Sequence, residues 1–213
     1  MHRVPWPLHR DDVGPTLSAL RSGALVVYPT ETVFGIGCVL SAGEAGIERV
    51  RAAKGSPPGR PFLVLAASRE MAFSLWSEVP PVGLILGTSE WPGPLTLVGP
   101  ARQGLPKGLL GESDGPDGVV STVSVRVPGD PALRQLIGRL GEPLLSTSAN
   151  PAGSPPPVDL AAVDLESLSP DLLLAAGSCP GGEPSTVLTV VEDPPRVLRQ
   201  GAWHPQLLEA ASE

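Results

Sequence analysis

Short apolar runs alternate with stretches of helical periodicity along most of this 213-residue chain. Each apolar run is bounded by Gly, Pro or small polar residues, which is typical of buried strands. The alternation of strands with helices favours an α/β fold. Strands are predicted at 24–28, 33–40, 62–67, 95–101, 121–127, 142–150, 172–176, 185–191 and 196–201.

Helices are predicted between several of these strands. The first begins at an N-cap, Asp11 or Asp12, and runs to about Arg21. It should stop at Gly23, because Gly readily adopts the left-handed conformation that ends helices. Further helices are predicted at 42–54 and at 69–88 in two pieces broken at Pro80–Pro81, and 128–140 is predicted to be a turn followed by a helix.

Two segments carry more specific expectations. In the helix at 42–54, Ile47 and Val50 form an apolar face, and we expect Arg51 to point away from it. Residues 102–118 are predicted to form an exposed loop, and their length and Gly content would permit a lid.

Composition narrows the possible functions. The net charge of −7 argues against a wholly basic nucleic-acid-binding surface, although a local basic cleft is compatible with it. Arg far outnumbers Lys, which suits bidentate recognition of phosphate or carboxylate, although a GC-rich genome would produce the same bias. His2, His9 and His204 all lie near the ends, so a central catalytic histidine or a His-rich metal site is hard to build.

The chain also lacks signals for export. Its first residues contain no apolar signal-peptide core, and no apolar run approaches the ~18 residues of a membrane span. Cys38 and Cys179 are far apart and form no CxxC motif, so both are predicted to be reduced thiols. We therefore expect a cytoplasmic protein without membrane association.

Hydroxyl and amide side chains cluster where two predicted strands end. Ligand crevices of α/β sheets lie at such carboxyl ends, so these side chains are candidate ligand contacts. The alternatives are an ordinary turn in the first segment and an Asx-type turn in the second. The side chains are Thr30 and Thr32 in YPTETVFGIG (28–37), and Ser146, Thr147, Ser148 and Asn150 in LLSTSANPAG (144–153).

Three cations are placed where they could contact a ligand. Lys54 and Arg60, separated by Gly and Pro, could clamp a polyphosphate, or they could belong to a solvated loop. Arg126 alternates with valines in the strand at 121–127. If the valines face the core, Arg126 points to the other sheet face and needs a partner there. That partner is either a ligand carboxylate or an internal Asp or Glu.

Common catalytic motifs are missing or unconvincing. The chain has no GxxxxGK[ST] phosphate loop and no GxGxxG motif. GESDG (111–115) matches the GxSxG pattern, but it lies among Pro and Gly and lacks a His partner, so we assign no nucleophile there.

Three more segments complete a recognisable order: WPGPLTLV (91–98), EPSTV (183–187) and LRQG (198–201). The whole set resembles the YrdC-like threonylcarbamoyl-AMP synthase family, in its short form. The resemblance covers roughly 10–201, which predicts one domain with terminal extensions at 1–9 and 202–213. It implies a single-domain twisted mixed α/β sheet with flanking helices and a concave basic cleft.

The resemblance also implies a reaction. A nucleotidyltransferase of this family condenses L-threonine, bicarbonate and ATP to threonylcarbamoyl-AMP and pyrophosphate, for tRNA threonylcarbamoyladenosine modification. ATP is expected as a substrate with Mg²⁺, with no tightly bound cofactor and no protein metal site. A downstream tRNA threonylcarbamoyl-transfer complex would take the product, and direct tRNA binding is expected to be weak or absent.

Site residues follow by motif position. The resemblance implies no covalent intermediate, so catalysis would rest on alignment and charge stabilisation, with Lys54, Ser148 and Asn150 as the catalytic residues. Threonine would contact Thr32, Ser146, Ser185 and Arg126, the last through its carboxylate. ATP would contact Thr30, Lys54, Ser56, Arg60, Thr122, Ser148, Asn150 and Arg199.

Two positions depart from the family pattern. Ser56 stands where members usually have Arg, and Leu65 stands where many have His. Arg60 is a possible replacement for the missing cation. The departures keep open an alternative, namely a YrdC-like paralogue that binds RNA or acts on another carbamoyl adenylate; a purely structural α/β subunit is the third possibility.

Overall fold

A computed structural model describes residues 1–115 and 118–204 of the chain. Its strands are β1 (His2–Pro5), β2 (Val26–Tyr28), β3 (Gly35–Val39), β4 (Leu63–Leu65), β5 (Leu95–Pro100), β6 (Gly111–Gly115), β7 (Gly118–Arg126), β8 (Leu144–Ser148), β9 (Leu172–Ala175), β10 (Thr186–Thr189) and β11 (Arg196–Arg199). Its α-helices are α1 (Arg10–Arg21), α2 (Gly43–Lys54), α3 (Arg69–Phe73), α4 (Pro81–Ser89), α5 (Pro131–Leu140) and α6 (Leu165–Leu168).

All the strands belong to one mixed sheet. Neighbouring strands follow the order β1-β9-β2-β3-β8-β4-β7-β5-β10-β11, and β6 pairs with β7. The pairs β1–β9, β2–β9, β4–β7 and β5–β10 are parallel, and the remaining pairs are antiparallel. A mixed sheet with flanking helices confirms the predicted α/β fold.

One face of this sheet carries the larger hydrophobic core. It buries Val64 and Val125 from the central strands together with Ile47 and Val50 of α2. Alternate residues of a strand point to opposite faces, so this core takes every second residue. The predicted shared face of the β7 valines is confirmed, because Val123 and Val127 belong to the same core.

The opposite face is only partly covered. Helices α1 and α5 pack on its β1, β2 and β9 side, where Leu20, Leu133 and Ile137 join a second apolar core. Local sequence fixes α5, because the Asp130 carboxylate accepts a hydrogen bond from Leu133 N at 2.9 Å. Within residues 1–115 and 118–204, no helix covers the rest of this face, where short polar side chains lie beside Leu63 and Leu65.

Several local predictions need correction. His9, and not Asp11 or Asp12, occupies the N-cap of α1. Both aspartates lie in the first turn, where the helix dipole favours negative charge. The predicted stop at Gly23 is confirmed, with φ of 82°. Strand β1 was missed because its short segment lacks a long apolar run.

Arg51 is buried, which the expectation that it points away from the Ile47–Val50 face did not include. This residue is only 8% exposed, and its guanidinium packs over the ring of Phe62. Helical spacing alone could not indicate this, because the neighbouring surface belongs to a loop that folds back over the helix.

Residues 102–118 are also more ordered than predicted. Leu105 and Leu109 are buried, and 111–115 form strand β6 against β7. The GESDG segment is therefore part of a hairpin and not of a strand-to-helix elbow. Pro116 and Asp117 lie outside the described residues, as do 205–213, and the proposed lid and the domain boundaries stay predictions.

Candidate functional site

A cavity of about 380 Å³ opens on the uncovered part of the sheet face that also carries α1 and α5. That volume lies in the ordinary range for small-ligand sites. Its charged lining consists of three guanidinium groups and one carboxylate, that of Glu112. Most of the predicted site residues line it: Thr30, Thr32, Arg60, Thr122, Arg126, Ser146, Ser148, Ser185 and Arg199.

Cross-strand register brings these side chains together. Leu63 of β4 pairs with Ser146 of β8 on one side and with Ser124 of β7 on the other. Paired residues point to the same face, so a row of short side chains crosses the cavity floor. In the next row, Leu65 pairs with Arg126. Sequentially distant motifs thus meet because neighbouring strands place them side by side.

Arg126 is the centre of the cavity's hydrogen bonding. It is 4% exposed, and its Nε donates to Gly93 O at 3.1 Å. Its Nη1 donates to Thr32 Oγ1 at 3.1 Å and its Nη2 to Glu31 Oε1 at 2.5 Å. Among contacts within the described residues, three of the five guanidinium donors are used, which leaves one N–H on each terminal nitrogen. A bidentate carboxylate ligand uses one N–H from each of two guanidinium nitrogens.

Glu31 is the acidic partner of Arg126 within the chain. The sequence allowed either a ligand carboxylate or an internal Asp or Glu as this partner, and the internal one is present in the fold. Its carboxylate also accepts a hydrogen bond from Gly129 N at 2.6 Å. Burial by itself would raise the pKa of Glu31, but the Arg126 charge and these hydrogen bonds outweigh it and lower the pKa below 4.5. Glu31 therefore carries a charge at neutral pH and fixes the position of Arg126.

The Thr30–Thr32 turn is fixed by its own hydroxyl. Thr30 Oγ1 accepts hydrogen bonds from the backbone N–H groups of Thr32 and Val33, both at 3.1 Å. It also lies 2.8 Å from Thr32 Oγ1. The two side chains are buried and share one network with Arg126, so this turn is more than the ordinary surface turn that the sequence also allowed.

Tyr28 supports the serine beside it. Its phenol donates to Ser146 Oγ at 2.6 Å, and burial raises the Tyr28 pKa above its ordinary value, so the phenol keeps its proton. The close approach of the ring depends on Gly35, since a Cβ there would lie 2.7 Å from Tyr28 Cε2. Ser146 accepts from Tyr28 and keeps its own hydroxyl hydrogen for the cavity.

The far wall of the cavity comes from β10 and β11. Arg199 Nη2 donates to Ser185 O at 2.8 Å, and Ser185 Oγ lies 2.8 Å from Thr96 Oγ1. Burial lowers the pKa of Arg199, and the nearby charges of Arg60 and Arg126 lower it further. This mutual repulsion of three cations identifies a place where an anion would be stabilised.

Lys54, Ser56 and Asn150 do not line the cavity. The Lys54 ammonium donates to the backbone oxygens of Ser148 and Asn150, both at 2.5 Å. Burial lowers the Lys54 pKa to about 8, and the Arg60 charge adds to the effect. Lys54 thus braces the loop that follows β8, immediately behind the cavity wall.

Asn150 holds the loop after β8 through its side-chain nitrogen, and not through the side-chain oxygen that an Asx-type turn would use. Its side-chain amide donates to Pro151 O at 3.0 Å and to Ser154 O at 2.6 Å. A nucleotide contact from Lys54 or Asn150 would require a change in these interactions. The nucleotide contacts expected of Lys54, Ser56 and Asn150 stay predictions.

Two residues of this network were not assigned from the sequence. Glu31 stands between two threonines that were assigned, and Tyr28 opens the same segment. The available signal was a single acidic residue inside an otherwise neutral turn. Their importance depends on contacts with β7 and β8, which no local pattern encodes.

Comparison with known proteins supports the resemblance. The Sua5/YciO/YrdC family, described as "Telomere recombination", matches residues 18–201. The chain belongs to this family. A threonylcarbamoyl-AMP synthase of Pyrococcus abyssi is 34% identical over 183 residues, which are 85% of this chain and 52% of that protein. One of Pseudomonas savastanoi pv. phaseolicola is 37% identical over 136 residues, which are 64% of this chain and 69% of that protein.

Solved Sua5/YciO/YrdC structures share the fold. P. abyssi Sua5 complexed with L-threonine superposes with a TM-score of 0.85 at 30% identity, covering 98% of this chain and 59% of that one. E. coli YciO superposes with a TM-score of 0.80 at 25% identity, covering 96% of each chain. This member of the family thus spans about half the length of its archaeal relative and nearly all of YciO.

Membrane-spanning helices and clusters of metal-binding side chains are both lacking in the described part of the chain. Across 1–115 and 118–204, no helix is long and apolar enough to cross a membrane. Over the same residues, no group of three or more His, Cys, Asp or Glu side chains is arranged to hold a metal ion.

Proposed function

We propose that this chain is an L-threonylcarbamoyladenylate synthase, which joins L-threonine, bicarbonate and ATP and releases pyrophosphate. The observation that carries the proposal is the surroundings of Arg126. Two guanidinium donors remain for a carboxylate, and the hydroxyls of Thr32 and Ser146 border the same cavity. The curated relatives that carry this enzyme name, at 34% and 37% identity, support it.

In this proposal the amino acid binds at the strand-built end of the cavity. Its carboxylate pairs with Arg126, and its polar groups meet the hydroxyls of Thr32, Ser146 and Ser185. The threonine that accompanies P. abyssi Sua5 is consistent with a family site for this amino acid. A fixed Arg126 favours catalysis because it costs no reorganisation when the substrate arrives.

The nucleotide binds beside the amino acid as MgATP. Mg²⁺ prefers phosphate oxygens and water, so it would arrive with the nucleotide. Arg60 and Arg199 face the triphosphate, while Thr122 and Ser148 offer hydroxyls from the cavity wall. Thr30 lines the same wall, but its hydroxyl already donates to Val33 O at 2.7 Å, so a contact from it to the nucleotide requires that bond to change. Lys54 and Asn150 act on the nucleotide by holding the loop that follows β8.

The chemistry then needs alignment more than acid–base groups. The threonine amine attacks the carbon of bicarbonate, and one bicarbonate oxygen leaves as water with an amine proton, which gives a carbamate. A carbamate oxygen then attacks the α-phosphate of ATP, and pyrophosphate leaves. Charge builds on the phosphate oxygens, where the guanidinium groups stabilise it. The product would go to a tRNA threonylcarbamoyl-transfer complex, with little direct tRNA binding by this chain.

A second candidate is a paralogue that acts on a different carbamoyl adenylate or binds RNA. It is favoured by Leu65, which presents an apolar side chain to the cavity at a position where many members have His, and by Lys54, which lies outside the lining. The fold similarity to YciO extends over nearly the whole of both chains and is compatible with such a paralogue.

One assay separates the candidates. Purified protein is incubated with ATP, Mg²⁺, bicarbonate and labelled threonine, and pyrophosphate release is measured with and without threonine. The synthase predicts threonine-dependent release together with labelled threonylcarbamoyl-AMP. Pyrophosphate release that does not depend on threonine, or no release at all, supports the paralogue. Salt-sensitive affinity for RNA would support the RNA-binding form.

A further inference from the structure

Arg51 is a buried cation outside the cavity that the proposed reaction does not use. Its side chain is 9% exposed. Its acidic partner is Glu48, whose Oε1 lies 3.2 Å from Arg51 Nε and whose side chain is 67% exposed. An ion pair with so exposed a partner contributes little, and burying a guanidinium is costly. The Glu48 contact therefore does not explain why Arg51 is buried.

The other side-chain contacts of Arg51 go to the segment between α2 and β4. Its Nη1 donates to Pro57 O at 2.7 Å and approaches Arg60 O at 3.5 Å. Its Cζ lies 5.1 Å from the centre of the Phe62 ring, at the end of this segment. One planar guanidinium thus contacts residues 57, 60 and 62 of the chain, which an ammonium could not do with the same geometry.

This loop, residues 55–61, has few other means of holding one conformation. Gly55 and Gly59 both have positive φ, 59° and 83°, so the backbone changes direction twice. Pro57 and Pro58 lack N–H donors, and most of the loop is exposed. Its functional side chain is Arg60, which is itself exposed and lines the cavity.

We propose that Arg51 is a positioning residue, which holds the 55–61 loop so that Arg60 faces the cavity and supplies the phosphate contact that Ser56 cannot. The inference rests on the proposed function, since it assumes that the cavity binds a nucleotide. Family members with Arg at the position of Ser56 carry a cation directly after the helix. In this chain the cation is Arg60, later in the loop, and Arg51 on α2 orients it.

A double-mutant cycle on nucleotide binding tests this inference. The affinity for a non-hydrolysable ATP analogue with Mg²⁺ is measured by calorimetry for the wild type, Arg51→Met, Arg60→Ala and the double variant. Met keeps an apolar stem against Phe62 but removes the charge and the donors. We expect each single change to weaken binding about tenfold, the effect of losing one charge-assisted hydrogen bond. The double variant should bind no more weakly than Arg60→Ala alone.

Arg49→Met is the matched control. Arg49 lies on the same helix, pairs with Asp171 at 2.7 Å and does not contact the loop. It should lose an ion pair without changing nucleotide affinity. If Arg51→Met does not fold, Arg51→Lys enters the cycle instead, because it keeps the charge but cannot contact Pro57, Arg60 and Phe62 together.

The outcomes are distinct. Multiplicative effects in the double variant, or unchanged affinity in the Arg51 variant, would overturn the inference, because Arg51 would then act independently of Arg60 or not at all. If the wild type fails to bind the analogue, the proposed function fails instead. Thermal denaturation of each variant separates loss of binding from loss of folding.

Discussion

The two ends of the cavity are built differently. At the proposed amino-acid end, Arg126 lies on a central strand, is nearly fully buried and has donors bound to Gly93, Thr32 and Glu31. At the proposed nucleotide end, Arg60 lies on an exposed loop, and Lys54 donates to backbone oxygens behind the cavity wall. The first end is fixed by the sheet, and the second depends on side chains that brace loops.

This difference has a physical reason. A strand position is held by neighbours on both sides, so a side chain placed there pays little further entropy when a ligand binds. A loop must be ordered by separate contacts. The two departures expected from the resemblance fall one at each end: Ser56 lies in the loop before β4, whereas Leu65 ends that strand and pairs with Arg126.

The largest expected effect is at the strand-built end. Arg126→Met should lower the free energy of unfolding by about 3 kcal/mol, because it leaves the Glu31 carboxylate without its buried partner. Threonine affinity should fall about 100-fold, the loss of two charged hydrogen bonds. Denaturant unfolding and threonine binding are the measurements.

Its matched control is the double variant Glu31→Gln, Arg126→Met. Removing both charges should restore part of the stability without restoring threonine affinity. If Arg126→Met alone still binds threonine normally, the contrast between the two ends is lost, because the strand-built end would then not be the amino-acid site.

Lys54→Met should act on the other end. It leaves the backbone oxygens of Ser148 and Asn150 without their buried donor, at a cost of about 2 kcal/mol in the free energy of unfolding. We expect weaker ATP binding with unchanged threonine affinity, measured by calorimetry with each ligand. An equal fall in the affinities for ATP and threonine would mean that the two ends of the cavity are not structurally independent.

The pH dependence of stability tests a smaller effect, and the direction of that effect is predicted. The pKa of Glu31 is lowered from 4.5 in the fold, so its contribution to stability is complete above 4.5 and is lost as pH falls through the lower folded pKa. Glu31→Gln should cost about 1.5 kcal/mol at neutral pH, and the difference from the wild type should shrink in acid. Chemical denaturation across this range measures it; a difference that stays constant with pH would contradict the assignment.

The smallest effect is expected from Tyr28→Phe. This change removes only the hydrogen bond to Ser146 Oγ and keeps the ring against Gly35. Threonine affinity should fall about fivefold, corresponding to about 1 kcal/mol, while ATP affinity stays the same. A change confined to ATP affinity would place Ser146 at the nucleotide end.

Periodicity and turn residues predicted much of the fold. The helix at 42–54, the two helical pieces within 69–88 and the shared face of the β7 valines all appear in the structure. These features are local, since a helix or strand pattern repeats within a few residues. Strand β1 and the β6–β7 hairpin were missed because their short runs become strands only when a partner strand completes their hydrogen bonds.

The sequence by itself determined which chemical groups this protein has available, namely hydroxyls and cations at strand ends and no central histidine. Only the tertiary structure decided what each group does. It directed Arg126 into the cavity beside Glu31, turned Lys54 to the backbone behind the wall and buried Arg51 under a loop. The reason is that a side chain's partner is set by strand order and loop path. Both arise from contacts between residues far apart in the chain, and no repeating local pattern records them.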